Sequence, residues 1–419
     1  MNPLYEQMQT SVFERMSGLA AKHDAVNLGQ GFPDFGWPDA ILDAAARAVK
    51  EGSNQYAPSR GLMSLREAVA GHYRRHQNLD IASDQVCVTS GATEALGAAI
   101  LATVSPGDEV VIFTPAYDCY APMIRRGGAV PVEVALKPPE WRIDRAAIQA
   151  AIGPKTRAMI FNNPHNPAGR LFGADELDTI AAVAREHDLI VISDEVWEQI
   201  VLNPPRNGEG DQGQLGGGGG VQGSDPPPSA LRAATSPSRG GFTSLAALPG
   251  MAERSIKIGS AGKIFSLTGW KVGWLVAPPA LAGTVSRAHQ FLTFSTAPNL
   301  QTAVAFGLDE GDAWLDPMRQ RFERARDRMT EGLRGAGFTV LDAAATYFLC
   351  VDLHASGIAM DDEAFAAAAV EQAGVAVVAL SAFAEQDPPR NLVRLCFGKK
   401  DETIDAGVAA MAKAKALLS

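Results

Sequence analysis

Lys263 lies in the stretch Ser260-Ala-Gly-Lys-Ile-Phe-Ser-Leu-Thr-Gly-Trp-Lys271, directly after the β-branched run Ser255-Ile-Lys-Ile-Gly259. An amine on a tight Ser-Ala-Gly turn, dried by apolar neighbours and near a second ammonium at Lys271, suits a nucleophile that bonds a carbonyl carbon as an imine. A solvated loop lysine could carry the same local sequence, so the reading depends on what other segments supply. Four further runs that read as strands also end in residues able to do chemistry. Ser90-Gly-Ala-Thr-Glu-Ala-Leu96 opens a helix with small residues, so backbone N–H groups at Gly91 and Ala92 and the Thr93 hydroxyl face an anion at a helix N-terminus, or simply cap it. Thr114-Pro-Ala-Tyr117 offers an aromatic ring able to cover a flat ligand. Asn162-Asn-Pro-His-Asn-Pro-Ala-Gly169 is held out of helix by two Asn-Pro steps and leaves Asn166 available to a ligand. Ser193-Asp-Glu-Val-Trp197 sets Asp194 after an apolar strand, where a carboxylate is unfavourable to bury without a cationic partner.

An anion cradle, an aromatic, a carboxylate and a lysine at one sheet edge together match the needs of pyridoxal 5'-phosphate. The lysine forms the imine, the carboxylate keeps the pyridine nitrogen protonated, and the helix terminus holds the phosphate. The elements that must position them follow from periodicity. Short β-rich runs at 86–90, 109–113, 129–134, 157–161, 189–193, 255–259 and 272–277 alternate with helical segments, and several are apolar on both faces, as parallel strands between helices are. This predicts an α/β domain with a mostly parallel seven-stranded sheet. The loop carrying Lys263 is too short for a helical crossover, which predicts one antiparallel strand. Ligands in such sheets sit beyond the carboxyl ends of the strands.

A helical arm is expected over 3–23 from the spacing of Met8, Val12, Met16 and Leu19, followed by the Gly- and Pro-rich turn 28–38 and helices at 40–52 and 63–76. Beyond 277, helices at 279–297, 300–307 and 313–336, strands at 338–341, 347–352, 375–380 and 392–397, and a last helix at 401–418 predict a smaller α+β domain. The expected division is 1–38 as arm and part of the small domain, 39–285 as the large domain and 286–419 as the small one. Residues 204–241, rich in Gly, Pro and Ser, read as a disordered surface insertion; their five-glycine run lacks the GK[ST] ending of a phosphate loop.

Composition narrows the function classes. With 419 residues, 46% hydrophobic and 20% charged, the chain has a globular balance and room for two domains. The net charge of -10 and the lack of a basic stripe argue against nucleic acid. Cys87, Cys119, Cys350 and Cys396 have no CxxC spacing, so no metal site or disulfide framework is indicated. The first residues lack basic and apolar signal regions and no apolar run reaches membrane-spanning length, so a cytoplasmic protein without membrane association is expected.

Taken together, the motifs resemble those of a fold-type I pyridoxal-phosphate-dependent aminotransferase of class I/II, most like the branch of methionine, kynurenine and glutamine transaminases and cysteine-conjugate β-lyases. The resemblance runs from Val26-Asn-Leu-Gly-Gln-Gly-Phe-Pro-Asp34 to Val393-Arg-Leu-Cys-Phe397 and is strongest over Ser260 to Lys271. It implies that Lys263 is the Schiff-base lysine and proton shuttle, that Asp194 pairs with the pyridine nitrogen, that Asn166 bonds the cofactor's phenolic oxygen and that Tyr117 stacks on its ring. Gly91, Ala92, Ser260 and Lys271 would hold the phosphate. Arg394 would clamp the substrate α-carboxylate through its bidentate fork, and Gly31 would approach substrate with backbone. Tyr56 would reach the phosphate in a neighbouring subunit, implying a homodimer with shared active sites. Trp197 departs from the family's usual tyrosine at this cofactor-facing position, and Ala168 from its frequent threonine.

The activity implied is transfer of an amino group from an L-amino acid to a 2-oxo acid in two half-reactions, with methionine, glutamine or aromatic donors favoured. Phe32, Tyr347 and Phe348 are candidates for the side-chain pocket and equally for core. Alternatives are β-elimination from cysteine S-conjugates, and transamination of N-succinyldiaminopimelate or aspartate. A serine acyl-enzyme reading of Ser260-Ala-Gly-Lys263 lacks the companion KTG motif.

Overall fold

The structure is a computed structural model that describes residues 1–6, 8, 10–204 and 241–419. The insertion expected over 204–241 falls outside the described residues apart from its two ends. A two-residue strand, β1 (Val26–Asn27), follows the N-terminal helix Val12–Lys22. The seven β-rich runs then form β2 (Val86–Thr89), β3 (Glu109–Thr114), β4 (Val130–Ala135), β5 (Thr156–Asn162), β6 (Ile190–Asp194), β7 (Ser255–Ser260) and β8 (Gly273–Val276). Their order in the sheet is β2-β8-β7-β6-β5-β3-β4. All are parallel except β8, which runs antiparallel to both β7 and β2. The connection from β7 to β8 holds only two single turns, the helix Ala261–Ile264 and the 3-10 turn Thr268–Trp270, so the chain folds back on itself there. β4 carries Pro131, which cannot donate to a ladder on both sides, and β4 is an edge strand. β2, β7 and β8 are buried along their whole length, as the two-sided apolarity requires.

The second sheet contains β9 (Thr339–Val340), β10 (Phe348–Asp352), β12 (Val378–Ala379) and β13 (Leu392–Cys396), antiparallel in the order β12-β13-β10-β9. The strand expected over 375–380 is divided. Its first part, β11 (Val375–Ala376), pairs in parallel with β1, and only the second joins β13. Two edges compete for its backbone groups, and each takes two residues.

The arm also differs from expectation. It forms two helices, Pro3–Glu6 and Val12–Lys22, because the Ser11 hydroxyl accepts from Glu14 N–H at 3.2 Å and caps the second one. Val12, Met16 and Ala20 form the buried stripe, while Met8 is 41% exposed. The helix expected over 279–297 stops at Gln290, and Pro298 starts the next helix, Pro298–Glu310. The boundary expected at 285 cuts through Pro279–Gln290, which packs on Ala92–Thr103, while Pro298–Glu310 packs on Asp39–Glu51 and Met63–Gln77. Helix Asp312–Gly335 instead packs on the C-terminal helix Asp401–Leu418. Among the described residues no helix is long and apolar enough to cross a membrane.

Candidate active site

The carboxyl ends of β2, β5, β6 and β7 open on a cavity of about 390 Å³. Its lining brings together Gly31, Gly91, Ala92, Thr93, Tyr117, Asn166, Asp194, Trp197, Ser260, Lys263, Lys271 and Arg394, which are the expected site residues apart from Tyr56. Tyr56 is 88% exposed and meets Phe294 edge-on with ring centroids 5.8 Å apart. Phe348 lines the cavity; Phe32 does not, and lies over the Lys399 ammonium.

At the helix N-terminus Gly91 adopts φ +81, a conformation that L side chains rarely adopt. A Cβ there would lie 3.1 Å from Lys271 Cε, so the lysine side chain lies directly over the turn. Helix Ala92–Thr103 has no side-chain cap at this end. Its first N–H groups, the Thr93 and Ser260 hydroxyls and the Lys271 ammonium therefore form a cradle that could hold a phosphate. The turn is braced from behind. Glu94 accepts from Ser90 N–H at 2.5 Å and meets His289 Nδ1 at 2.6 Å, and His289 Nε2 faces the Ser59 carbonyl at 2.7 Å. Burial opposes charge on that imidazole, but two acceptors, one of them a carboxylate, hold it above its ordinary range.

Asp194 ends β6 and is 4% exposed. It accepts from the Tyr120 hydroxyl at 2.5 Å and from Val196 N–H at 3.4 Å, and among the described residues no lysine or arginine forms an ion pair with it. Burial lifts its carboxyl to about 6, against the pull of Tyr120, Val196 and the more distant Lys263 charge. A buried carboxylate of this kind gains most from a cation placed in the cavity, and a pyridinium nitrogen would fit. Tyr120 is not among the expected residues. Its position one turn after Tyr117 is a signal, but its partner lies 74 residues away and is set by strand pairing.

Arg394 on β13 is 1% exposed and has no carboxylate partner among the described residues. Its Nη1 donates to Asn166 Oδ1 at 2.9 Å and its Nη2 to the Gly29 carbonyl at 3.1 Å. Phe348 lies 3.9 Å from its Cζ and Phe13 5.0 Å, and its Nε has no hydrogen-bond partner. Burial draws the guanidinium down to about 10. A dry fork at a cavity wall, with Asp118 acting on it only from a distance, is suited to a carboxylate. Asn166, expected to be available for a ligand, thus has its carbonyl oxygen engaged by Arg394, while its own N–H donates to Asn162 Oδ1 at 2.8 Å. Phe13 and Gln30 also line the cavity without being expected. Phe13 is hard to find because it sits one position off the arm's buried stripe.

Lys263 Nζ donates to the Tyr347 hydroxyl at 2.9 Å and lies 4.5 Å from the centre of the Trp197 ring. Burial pulls its ammonium down to about 8; the Arg394 and Lys271 charges add to this, while Cys396 and Asp194 oppose it. The lowered value leaves a minor but usable fraction of the amine neutral near pH 7, the form an imine-forming nucleophile needs, and most of it neutral only above pH 8. Its bond to Tyr347 and not to Ser260 leaves the serine without a base, against the acyl-enzyme reading. Tyr117 is half-buried at the cavity wall, with its hydroxyl pushed up by burial. Gly31 must lack a side chain, because a Cβ would run into the Phe348 ring. Among the described residues no group of His, Cys, Asp and Glu could hold a metal ion.

Residues 23–411 match the model of the family aminotransferase class I and II. A probable N-succinyldiaminopimelate aminotransferase of Mycobacterium tuberculosis is 40% identical, over 95% of this chain and 94% of its own length. Methionine aminotransferase of Escherichia coli is 36% identical, over 95% and 94%. The solved structure of N-succinyldiaminopimelate aminotransferase from Mycobacterium tuberculosis has a TM-score of 0.86 at 39% identity, covering 98% of this chain and 99% of that one. Because the likeness spans both sheets and every strand end that opens on the cavity, this chain belongs to the class I and II aminotransferases and is an enzyme of that class.

Proposed function

We propose that this aminotransferase binds pyridoxal 5'-phosphate in the cavity and transfers the amino group of an L-amino acid with an uncharged side chain, of the methionine, glutamine or aromatic type, to a 2-oxo acid. The supporting observation is the inventory of cations. Lys263, Lys271 and Arg394 are the lysines and arginines that line the cavity among the described residues, and each has a task. Lys271 faces the phosphate cradle, Arg394 meets the substrate α-carboxylate, and Lys263 bonds the cofactor and carries the α-proton. No fourth cation among the described lining residues is left for a carboxylate at the far end of a substrate, whereas Phe13, Gln30 and Phe348 offer apolar and neutral polar contacts.

When bound, pyridoxal phosphate supplies an electron-accepting ring that stabilises negative charge at the substrate α-carbon. The chain's own groups do the rest. Asp194, braced by Tyr120, would hold the ring nitrogen protonated, Tyr117 would lie against the ring, and Arg394 would bind the substrate carboxylate and so orient the substrate toward the Lys263 amine, which would take up the α-proton. The exchange is ping-pong: one 2-oxo acid leaves before the second enters. A homodimer accords with the exposed aromatic pair Tyr56 and Phe294, which meet edge-on at 88% and 42% exposure, and with the 83% exposed Phe291.

The test is a panel of amino donors with the purified holoenzyme, read as kcat/KM from loss of the visible cofactor band. Methionine, glutamine and phenylalanine should exceed aspartate and N-succinyl-LL-diaminopimelate by about tenfold or more. The reverse order would establish a second reading, favoured by the 40% identical relative, in which N-succinyldiaminopimelate is the donor. Ammonia and pyruvate from cysteine S-conjugates, without amino exchange, would instead establish β-elimination.

A further inference from the structure

Tyr347 is 1% exposed and does not line the cavity, yet its hydroxyl touches the Lys263 amine. Its ring is wedged between Trp197 (centroids 4.5 Å apart, 87°), Phe348 (4.9 Å, 65°) and Phe322 (5.7 Å, 40°). A phenol has one proton, and the Gly31 carbonyl, 2.8 Å away, can only accept. The proton therefore goes to Gly31, and Tyr347 presents lone pairs to Lys263 whether the lysine is charged or neutral. On another side of the same nitrogen lies the face of Trp197, 4.5 Å from the ring centre. An aromatic face is electron-rich, so it attracts N–H and repels a lone pair.

We propose that Tyr347 is the positioning residue of the reactive lysine: its Gly31-anchored hydroxyl takes one N–H of Lys263, the Trp197 face takes another, and the amine's lone pair is left turned into the cavity. This rests on the function proposed above, in which Lys263 is the nucleophile. It also gives Trp197 a task that a tyrosine could not perform with its hydroxyl, since here the ring face meets the amine. The same contacts act on charge. The phenol oxygen and the ring face both favour the ammonium, so they limit the fall in basicity that burial imposes.

The experiment uses cofactor-free full-length protein mixed with pyridoxal phosphate across a pH series, following the rate at which the visible band of lysine-bound cofactor appears. In the wild type the rate should rise with a midpoint near the amine's own, about 8. Tyr347→Phe removes one oxygen and keeps the ring. Its midpoint should fall by about one pH unit, the size expected for losing an acceptor to a charged donor, and its high-pH plateau should fall severalfold because the amine is no longer oriented. Trp197→Leu keeps the tyrosine and removes the ring face. It should move the midpoint in the same direction by less, and it decides the matter if the phenylalanine variant does not fold. A merely structural role would lower the thermal midpoint and leave the pH midpoint in place, and that result would overturn the inference. Failure of the wild type to give any visible band would remove the proposed function itself.

Discussion

Lys257 and Lys263 lie six positions apart, one inside β7 and one in the turn after it, and their surroundings push them in opposite directions. Lys257 is 1% exposed, bonded to Glu195 and, at 2.6 Å, to Glu198, with the Tyr73 ring 4.5 Å away. Gln77 donates to Glu198 at 2.6 Å and the Ser193 hydroxyl to Glu195 at 2.7 Å, completing a buried network. Burial opposes the charge of Lys257, but the two carboxylates prevail and hold it above its ordinary range. Lys263 has no carboxylate partner among the described residues, and burial draws it down to about 8. A paired buried lysine is locked as a cation and serves the fold; an unpaired one keeps a lone pair within reach of neutral pH and can serve chemistry. Pairing likewise separates Glu195, which is bonded to Lys257, from its neighbour Asp194, which has no ion-pair partner among the described residues and faces the cavity.

Substitution should separate the two lysines most strongly through turnover. Lys263→Ala is expected to abolish the visible band of protein-bound cofactor and to lower kcat by at least about 10³-fold while the fold is retained; turnover at the wild-type rate would end its assignment. Lys257→Met should do the reverse. Leaving Glu195 and Glu198 buried without their cation should destabilise the protein by about 3–5 kcal/mol, measured by denaturant unfolding, and a loss well below 1 kcal/mol would mean that the network tolerates the change.

The carboxylates sharpen the comparison by sign. The folded value of Asp194, about 6, lies above its ordinary 3.8, so the cofactor-free protein loses stability as pH rises from about 4 to about 6, where the carboxyl must ionise in a dry site. Asp194→Asn should therefore be close to neutral for stability at pH 4 and become stabilising above pH 6, by up to about 3 kcal/mol, while lowering kcat by about a hundredfold. A stability difference that does not change with pH would show that Asp194 is not strained in the free enzyme. Stabilisation on removing a site residue, set beside destabilisation on removing Lys257, is the pattern expected when a site is built with charges that await a ligand.

Much of this arrangement was legible in the amino-acid sequence, for a local reason. A strand apolar on both faces, a glycine turn opening a helix and an Asn-Pro step each signal themselves within a few residues, and in a doubly wound sheet every strand end points to one edge. That suffices to nominate Lys263, Asp194, Asn166, Tyr117 and the Gly91 turn, and the described structure brings all of them to one cavity. It also suffices for the seven strands and the antiparallel return of β8. The division of 375–380 between two sheets is not local, because it depends on β1 arriving from the other end of the chain. Nor are the partners that tune the site. Tyr120 reaches Asp194 across 74 residues, Arg394 reaches Asn166 across 228 and Tyr347 reaches Gly31 across 316. Which lysine is paired and which is left with a lone pair was decided by tertiary structure alone, since a charge a few ångströms away in a dry interior outweighs anything its sequence neighbours can do.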